Sequence, residues 1–303
     1  MFFQRNDFLH AIFSLTPSLT HHFQSFSLSN GDFGFMKKVL VGTLGLVLVS
    51  ALVWAAGNAP VITTQPKSQT VNEGESVTFS VVATGGLDLD MIWIKPGTFT
   101  RSGYNVTLSK GFWLGKYEVT QAQYEAVMGT NPSYFKGSDL PVECVTWHNA
   151  TNFCAKLNAQ EKAAGRLPSG YEYTLPTEAQ WEYACRAGTT GDYNVNGATL
   201  SDLGWYADNS NSKTHPVGQK KPNAWGLYDM HGNVWEWCLD WYGDYPSSAV
   251  TDPKGPSSGS DRVIRGGGWS GNANRCRSAY RNLNYPGFGY GHIGFRVALA
   301  PVQ

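Results

Sequence analysis

The last third of this chain has no helical pattern. After Gly188 the apolar residues no longer recur at helical spacing, and short apolar stretches alternate with Gly, Asn, Asp and Pro up to the C-terminus. The sequence contains 34 glycines and is 14% aromatic, whereas only 15% of it is charged. Such a chain has to pack large rings between loops and short strands, because it lacks long amphipathic helices. We therefore predict one loop-rich α+β domain over residues 91–299.

Three short helices are predicted ahead of this region from their capping residues. Thr120 and Thr177 are each followed, three residues later, by a glutamine, which is the pattern of a capping box. The predicted helices span 120–128, 148–164 and 177–187. Short strands are predicted over 91–94 and over 112–115, and a further short strand is predicted to end at Phe99.

The N-terminal part of the chain differs from the rest. Residues 1–35 are polar and without pattern, and we interpret them as an extension from a mis-called start codon. From Met36, two lysines and an apolar stretch predict a signal peptide over 36–56, which would direct the protein to the periplasm, the cell surface or the medium. This stretch is shorter than the roughly 20 residues of a bilayer span, so only an uncleaved segment would contact a membrane. Residues 57–90 predict extended structure, either an immunoglobulin-like remnant or edge strands.

Charge and cysteine content exclude several classes of function. Basic and acidic residues both number 23, so the chain gives no electrostatic reason to expect a nucleic acid partner. The five cysteines contain no C-x-x-C pair, which excludes a zinc ribbon and a thioredoxin-like motif. Their spacing leaves the disulfide pairing open.

The densest aromatic stretch, residues 223–237, contains two carboxylates, Asp229 and Glu236. The tryptophans around them predict burial, and a buried carboxylate needs a cation or several hydrogen-bond donors to stay ionised. Carboxylate and loop carbonyl oxygens suit Ca²⁺. The alternative is that these carboxylates accept hydrogen bonds from neighbouring backbone N–H groups.

Several blocks of sequence combine into a recognisable pattern. They are Met91–Phe99, Lys116–Thr120, Leu175–Ala184, the Gly-Leu-Tyr-x-x-x-Gly-Asn-x-Trp-Glu-Trp motif at 226–237, Val263–Gly267, Arg277–Arg281 and Gly294–Arg296. Together they resemble the formylglycine-generating enzyme family, also called sulfatase-modifying factors. The resemblance implies a C-type-lectin-like fold, loop-rich with a few short helices around a twisted antiparallel sheet. It also implies a structural calcium ion held by the side chains of Asp229 and Glu236 and by the backbone carbonyls of Gly232 and Val234.

The resemblance implies a chemistry that this sequence supports only in part. Enzymes of the family oxidise a sulfatase cysteine to formylglycine with O₂ and Cu(I), and two cysteines after the Arg-Gly-Gly motif hold the copper. Here that segment contains only Cys276, whereas Cu(I) prefers two thiolates. Cys276 is therefore the candidate copper ligand, and Arg281 is either a substrate-pocket residue or a buried ion-pair partner. We expect the oxidation to be absent or altered, copper to bind only if the domain is active, and a sulfatase polypeptide to be a candidate partner.

An alternative function follows from the C-terminal segment. From Arg265 to Leu299 it also resembles the variable region of C-type-lectin-fold receptors that retroelements diversify. Those proteins bind a protein or glycan ligand through changeable residues on a rigid scaffold. The candidate contact residues are Trp269, Asn272, Asn274, Tyr285, Phe288, Tyr290 and His292. The simpler alternative is that these side chains only cover the domain.

Overall fold

The computed structural model describes residues 86–195 and 197–302 in full, and before them only the backbone of six short strands. The chain divides into two units, residues 1–88 and 89–303. The predicted extension over 1–35 and the predicted signal peptide over 36–56 lie largely outside the described residues, and both stay predictions. None of the described helices is long and apolar enough to cross a bilayer.

The described strands of the first unit form antiparallel pairs. They are β1 (Phe35–Met36) with β4 (Leu52–Val53), β2 (Leu40–Val41) with β3 (Val47–Leu48), and β5 (Val61–Thr64) with β6 (Val82–Thr84). The last pair lies within the segment that was predicted to be extended, and the residues between its two strands lie outside the described residues.

The strands of the second unit are short. They are β7 (Met91–Ile94), β8 (Gly97–Arg101), β9 (Tyr104–Leu108), β10 (Phe112–Gly115), β11 (Tyr171–Thr174), β12 (Trp235–Trp241), β13 (Val250–Thr251), β14 (Arg262–Arg265), β15 (Arg281–Asn284), β16 (Ile293–Gly294) and β17 (Ala298–Pro301). The first sheet has the order β11-β17-β10-β7 and is antiparallel throughout. The second has the order β15-β14-β12-β16, and the third β13-β9-β8. Both contain one parallel pair, β12 with β16 and β13 with β9, so the expected antiparallel sheet is in fact several small sheets, two of them mixed.

Two of the four described helices begin at the residues that the capping pattern predicted. The four are α1 (Gln121–Met128), α2 (Trp147–Ala163), α3 (Glu178–Arg186) and the single turn α4 (Leu200–Leu203). Thr120 and Thr177 cap α1 and α3 in complete capping boxes, as predicted. Helix α2 begins one residue earlier than predicted, because Thr146 caps it together with Asn149 instead of the usual Glu or Gln. Helix α4 was not predicted, since one turn is too short to show periodicity.

Helix α3 lies between the sheets and fixes the centre of the domain. It packs against β9, β12 and β14, and Trp181 on its buried face has no exposed surface. Strand β12 contributes the equally buried Trp237. Because β12 lies between β14 and β16 and is covered on both faces, most of its side chains are buried without alternation. This arrangement brings the carboxylates of α3 and β12 close to arginines from the C-terminal segment.

The cap of α3 provides a test of this packing. Replacing Thr177 with Ala removes the acceptor for the Gln180 backbone N–H, so Thr177→Ala should lower the free energy of unfolding by about 1 kcal/mol in urea denaturation. Thr177→Ser should keep most of the stability, and Ser257→Ala, in an exposed loop, should leave it unchanged. An equal loss for the Ser and Ala variants would contradict the capping role.

Candidate functional site

A cluster of buried carboxylates surrounds the 226–237 motif. Asp229 and Glu236 are buried as predicted, and Glu118, which was not predicted, is buried with them. Arg296 is the cation that acts on all three carboxylates. Three acidic groups therefore share one guanidinium in a region without solvent.

Glu236 is held by a two-bond ion pair with Arg296. The Nε and Nη2 atoms of Arg296 donate to Oε2 and Oε1 of Glu236 at 2.6 and 2.7 Å. Oε2 also accepts from the indole Nε1 of Trp181 at 2.8 Å. Both oxygens of this carboxylate are therefore engaged, and the pair joins β12 to the C-terminal segment and to α3.

Glu118 holds the turn that precedes β12. Its Oε1 accepts from the backbone N–H of Val234 at 3.0 Å, and its Oε2 accepts from Nδ2 of Asn233 at 2.7 Å. Burial, followed by repulsion from Asp229 and Glu236, raises the pKa of Glu118 well above its usual value. In the same turn Gly232 has a φ of 145°, and a Cβ there would lie 2.3 Å from the carbonyl oxygen of Trp205. Only glycine fits this position.

Asp229 offers an oxygen that no protein group binds. Its Oδ2 accepts from the Gly218 backbone N–H at 2.7 Å, whereas its Oδ1 is buried and has no hydrogen-bond partner in the described structure. Burial raises the pKa of Asp229 to about 6. An unpartnered buried carboxylate oxygen is costly, and a bound cation would relieve that cost.

The predicted calcium ligands differ in how well they fit an ion. Asp229 Oδ1 is free, and the carbonyls of Gly232 and Val234 belong to the same turn. Glu236 accepts two hydrogen bonds on Oε2 and one on Oε1, so only Oε1 keeps an acceptor site for an ion. Among the described residues, no group of three or more His, Cys, Asp or Glu side chains is arranged to hold a metal ion. The calcium site stays a prediction, with Asp229 as its best-supported ligand.

A second buried ionic cluster extends along α3, and sequence patterns indicate little of it. Glu182 accepts from Arg101 Nε at 3.0 Å and from Arg186 Nη2 at 2.8 Å, and it also pairs with Arg265. Each of these groups is at least nine-tenths buried. Only the Arg186 pair has a sequence signal, the i,i+4 spacing on one helix.

Arg281, the predicted pocket residue, belongs to this second cluster. Its Nε and Nη2 atoms donate to Oε1 and Oε2 of Glu178 at 2.8 and 2.7 Å, and its Nη1 donates to the carbonyl of Gly243. Its guanidinium also stacks on Tyr245, 4.0 Å from the ring centroid. The structure therefore places Arg281 as an ion-pair partner, the second of the two roles considered.

Cys276 packs in a different apolar cluster from Cys185 and Cys238. It is fully buried against Leu200 and Tyr206, whereas Cys185 and Cys238 pack in the main core. A Cβ on Gly267 would lie 2.6 Å from its Sγ, so the sulfur fills the space beside that glycine. Burial raises the pKa of Cys276 to about 12, so the thiol is protonated at neutral pH. All five cysteines are free thiols, and Cys276 belongs to no group of three or more possible metal ligands among the described residues.

Most contact residues of the alternative, ligand-binding function lie on the surface between strands β15 and β16 of the second sheet. Tyr285, Phe288 and Tyr290 are 52%, 56% and 45% exposed, and their rings contact one another in sequence. We define the aromatic face as Leu283, Tyr285, Phe288, Tyr290 and Tyr134.

The remaining predicted contact residues lie beside this face. His292 stacks on Tyr290, and Nε1 of Trp269 donates to the carbonyl of Gly291. Asn272 and Asn274 are exposed. Tyr134, which was not predicted, is 76% exposed and approaches Gly291 from a distant part of the sequence.

Comparison with known sequences places this domain among characterised relatives. Residues 82–301 match the family described as "Sulfatase-modifying factor enzyme 1-like domain". A protein named "Chaperone protein LppX" from Paenibacillus barcinonensis is 33% identical over 65% of this chain and 83% of its own length. The formylglycine-generating enzymes of Streptomyces coelicolor and Mus musculus are 37% and 35% identical over 52% and 62% of this chain. The chain spans about half the length of these two enzymes, 52% and 50%.

Solved structures agree with the predicted fold. "Treponema denticola variable protein 1" is 34% identical with a TM-score of 0.64, and the match covers 70% of this chain and 95% of that one. PvdO from Pseudomonas aeruginosa is 29% identical with a TM-score of 0.57, covering 69% of this chain and 93% of that one. The C-type-lectin-like α+β fold expected from the sequence is thereby confirmed.

The buried ionic cluster at α3 gives a prediction about pH. Asp240 accepts from the Glu178 backbone N–H at 2.8 Å, and burial, followed by repulsion from Glu178, raises its pKa to about 7 from an ordinary 3.8. The folded state therefore keeps a proton that the unfolded state loses, and this carboxyl lowers stability progressively as the pH rises from about 4 to 7. Asp240→Asn keeps the acceptor without the charge. We expect its stability relative to wild type to rise by at most about 1.4 kcal/mol per pH unit across that window.

The measurement is urea unfolding at several pH values, with Asp244→Asn as an exposed control. A constant difference between Asp240→Asn and wild type from pH 4 to 8 would show that Asp240 does not titrate in this range.

Proposed function

Because this chain belongs to the sulfatase-modifying factor enzyme 1-like family, we propose that it is an exported, non-oxidising member that has kept the family fold and binds a protein partner. The observation that carries this proposal is the state of Cys276, which is the only cysteine after the Arg-Gly-Gly motif. A Cu(I) site of the family's type needs two thiolates, whereas this thiol is buried and protonated at neutral pH. The donor set does not fit copper, so no oxidation step is assigned to it.

The position of Arg281 supports the same proposal. A pocket arginine has to leave its guanidinium free for substrate. Here Glu178 and the Gly243 carbonyl accept from that guanidinium, and only 16% of the side chain is exposed. Both candidate residues thus have packing or ion-pair partners inside the domain, which supports a non-oxidising function.

Titration with Cu(I) tests the loss of copper chemistry. We expect no stoichiometric Cu(I)–thiolate complex in competition with a bicinchoninate chelator, and we expect Cys276→Ser to behave like wild type in that titration. Cys144→Ser, at a half-buried thiol, is the matched control. One tightly bound Cu(I) per chain that is lost in Cys276→Ser would overturn the proposal.

A structural calcium ion is part of the proposed function. It would satisfy the free Asp229 Oδ1 and reduce the excess negative charge of Glu118, Asp229 and Glu236. Its ligands would be Asp229 with the carbonyls of Gly232 and Val234, and its role would be to stabilise the turn before β12.

Thermal unfolding tests this ion. Millimolar CaCl₂ should raise the Tm by several degrees over EGTA, because a ligand that binds only the folded state stabilises it. Asp229→Asn should keep the bond to the Gly218 N–H and lose most of the calcium effect, whereas Asp244→Asn should keep it. An unchanged Tm in wild type would remove calcium from the proposal.

Binding of a protein partner is supported by the aromatic face. Large exposed rings grouped on one surface typically mark an interaction site. The relative from Paenibacillus barcinonensis is 33% identical, and the match covers 83% of its length. It is named a chaperone protein, which is consistent with binding to another polypeptide. A sulfatase polypeptide is one candidate for this partner, and a glycan is the alternative class of ligand.

A further inference from the structure

We propose that the partner presents an extended, acidic polypeptide segment that pairs with β15 and lays its apolar side chains on the aromatic face. This inference rests on the proposed partner binding and adds the chemistry of the occupant. Three independent observations support it: an open strand edge, the arrangement of the exposed rings, and the charge of the surrounding surface.

The first observation is the open edge of the second sheet. Strand β15 is the last strand on one side, and it pairs with β14 from Arg281 to Asn284. No backbone hydrogen bond links it to another segment of the described chain. Such an edge offers N–H and C=O groups to an added strand, and Leu283 in the middle of it is 40% exposed.

The second observation is the geometry of the rings that follow the strand. Tyr285 comes directly after β15, and its ring centroid lies 5.2 Å from that of Phe288 at an angle of 51°. The Phe288 and Tyr290 rings are 6.4 Å apart at 63°. These rings offer a large apolar contact area, and the open edge of β15 beside them favours a polypeptide occupant over a glycan.

The third observation is the absence of acidic residues from the C-terminal segment. After Asp261 the sequence contains no Asp or Glu, although it contains six arginines. Arg265, Arg281 and Arg296 are paired with glutamates in the interior. Arg275 is exposed and has no carboxylate within 4.0 Å in the described structure.

Two cations remain near the face to attract an acidic occupant. Arg275 lies close to His292, whose pKa is lowered first by burial and then by the arginine charge. Lys136 is exposed two residues after Tyr134, and its ammonium donates only to the Asn131 carbonyl. Neither cation has a carboxylate within 4.0 Å in the described structure, so their exposed charge is complementary to Asp and Glu side chains.

Fluorescence anisotropy with the full chain tests this inference. The probe is a fluorescein-labelled ten-residue peptide of alternating Glu and Leu, compared with a peptide in which Lys replaces Glu. A third peptide carries N-methyl groups on alternate residues and cannot complete a strand ladder. We expect the acidic peptide to bind, the Lys peptide to bind at least tenfold more weakly, and N-methylation to weaken binding to a similar extent.

Variants of the chain locate the site. Phe288→Ala and Arg275→Glu should each weaken binding of the acidic peptide about tenfold, because both side chains are exposed and their loss should not unfold the domain. Trp93→Ala, an exposed ring on the first sheet, and Lys254→Glu, an exposed cation in another loop, are the matched controls. Circular dichroism confirms that each variant is folded.

Several outcomes would overturn the inference. They are equal binding of the Glu and Lys peptides, unchanged binding by Phe288→Ala, binding of heparin but of neither peptide, and no binding of any probe. These outcomes are separate from the copper titration. A chain that binds Cu(I) through Cys276 and also binds the acidic peptide would overturn only the non-oxidising function.

Discussion

The ion pair between Glu236 and Arg296 is the contact on which the second unit depends. Its members are 60 residues apart in sequence and have no exposed surface. The remaining N–H groups of Arg296 donate to the carbonyls of Gly115 and Tyr228, and Glu236 also accepts from Trp181. One guanidinium therefore links the end of β10, the loop before β12, β12 itself and the C-terminal segment. Removing either partner would leave the other as an uncompensated buried charge, which typically costs about 3–5 kcal/mol.

Arginines replace regular hydrogen-bond ladders elsewhere in this loop-rich domain. Arg265 donates to the carbonyl of Tyr280, Arg281 to that of Gly243 and Arg262 to that of Leu239. Buried loop carbonyls need donors, and short strands cannot supply all of them. A guanidinium has five N–H donors, so it can satisfy a glutamate and a loop carbonyl together. This explains why most arginines after Asp261 lie inside the domain. Their acidic partners come from α3 and β12.

The residues that stabilise the domain differ from those that are exposed for binding. The buried ionic clusters involve Arg281, and the small apolar cluster around Leu200 encloses Cys276, so both residues are committed to the interior. What the domain offers to solvent at this end is the edge of β15 and the rings that follow it. A scaffold held by interior charges can tolerate changes on that surface, because the exposed rings make few contacts with the core.

The local features of the fold follow from the amino-acid sequence alone. Capping boxes located α1 and α3, and the tryptophans around Asp229 and Glu236 indicated burial, because these signals depend on neighbours within a few residues. How distant charges pair depends on the fold. Glu118 joins Asn233 across 115 residues, Arg281 joins Glu178 across 103, and Cys276 packs against Leu200 and Tyr206. Electrostatic pairing in the interior is set by distance in space and by the exclusion of water, and neither is encoded in the spacing of residues along the chain.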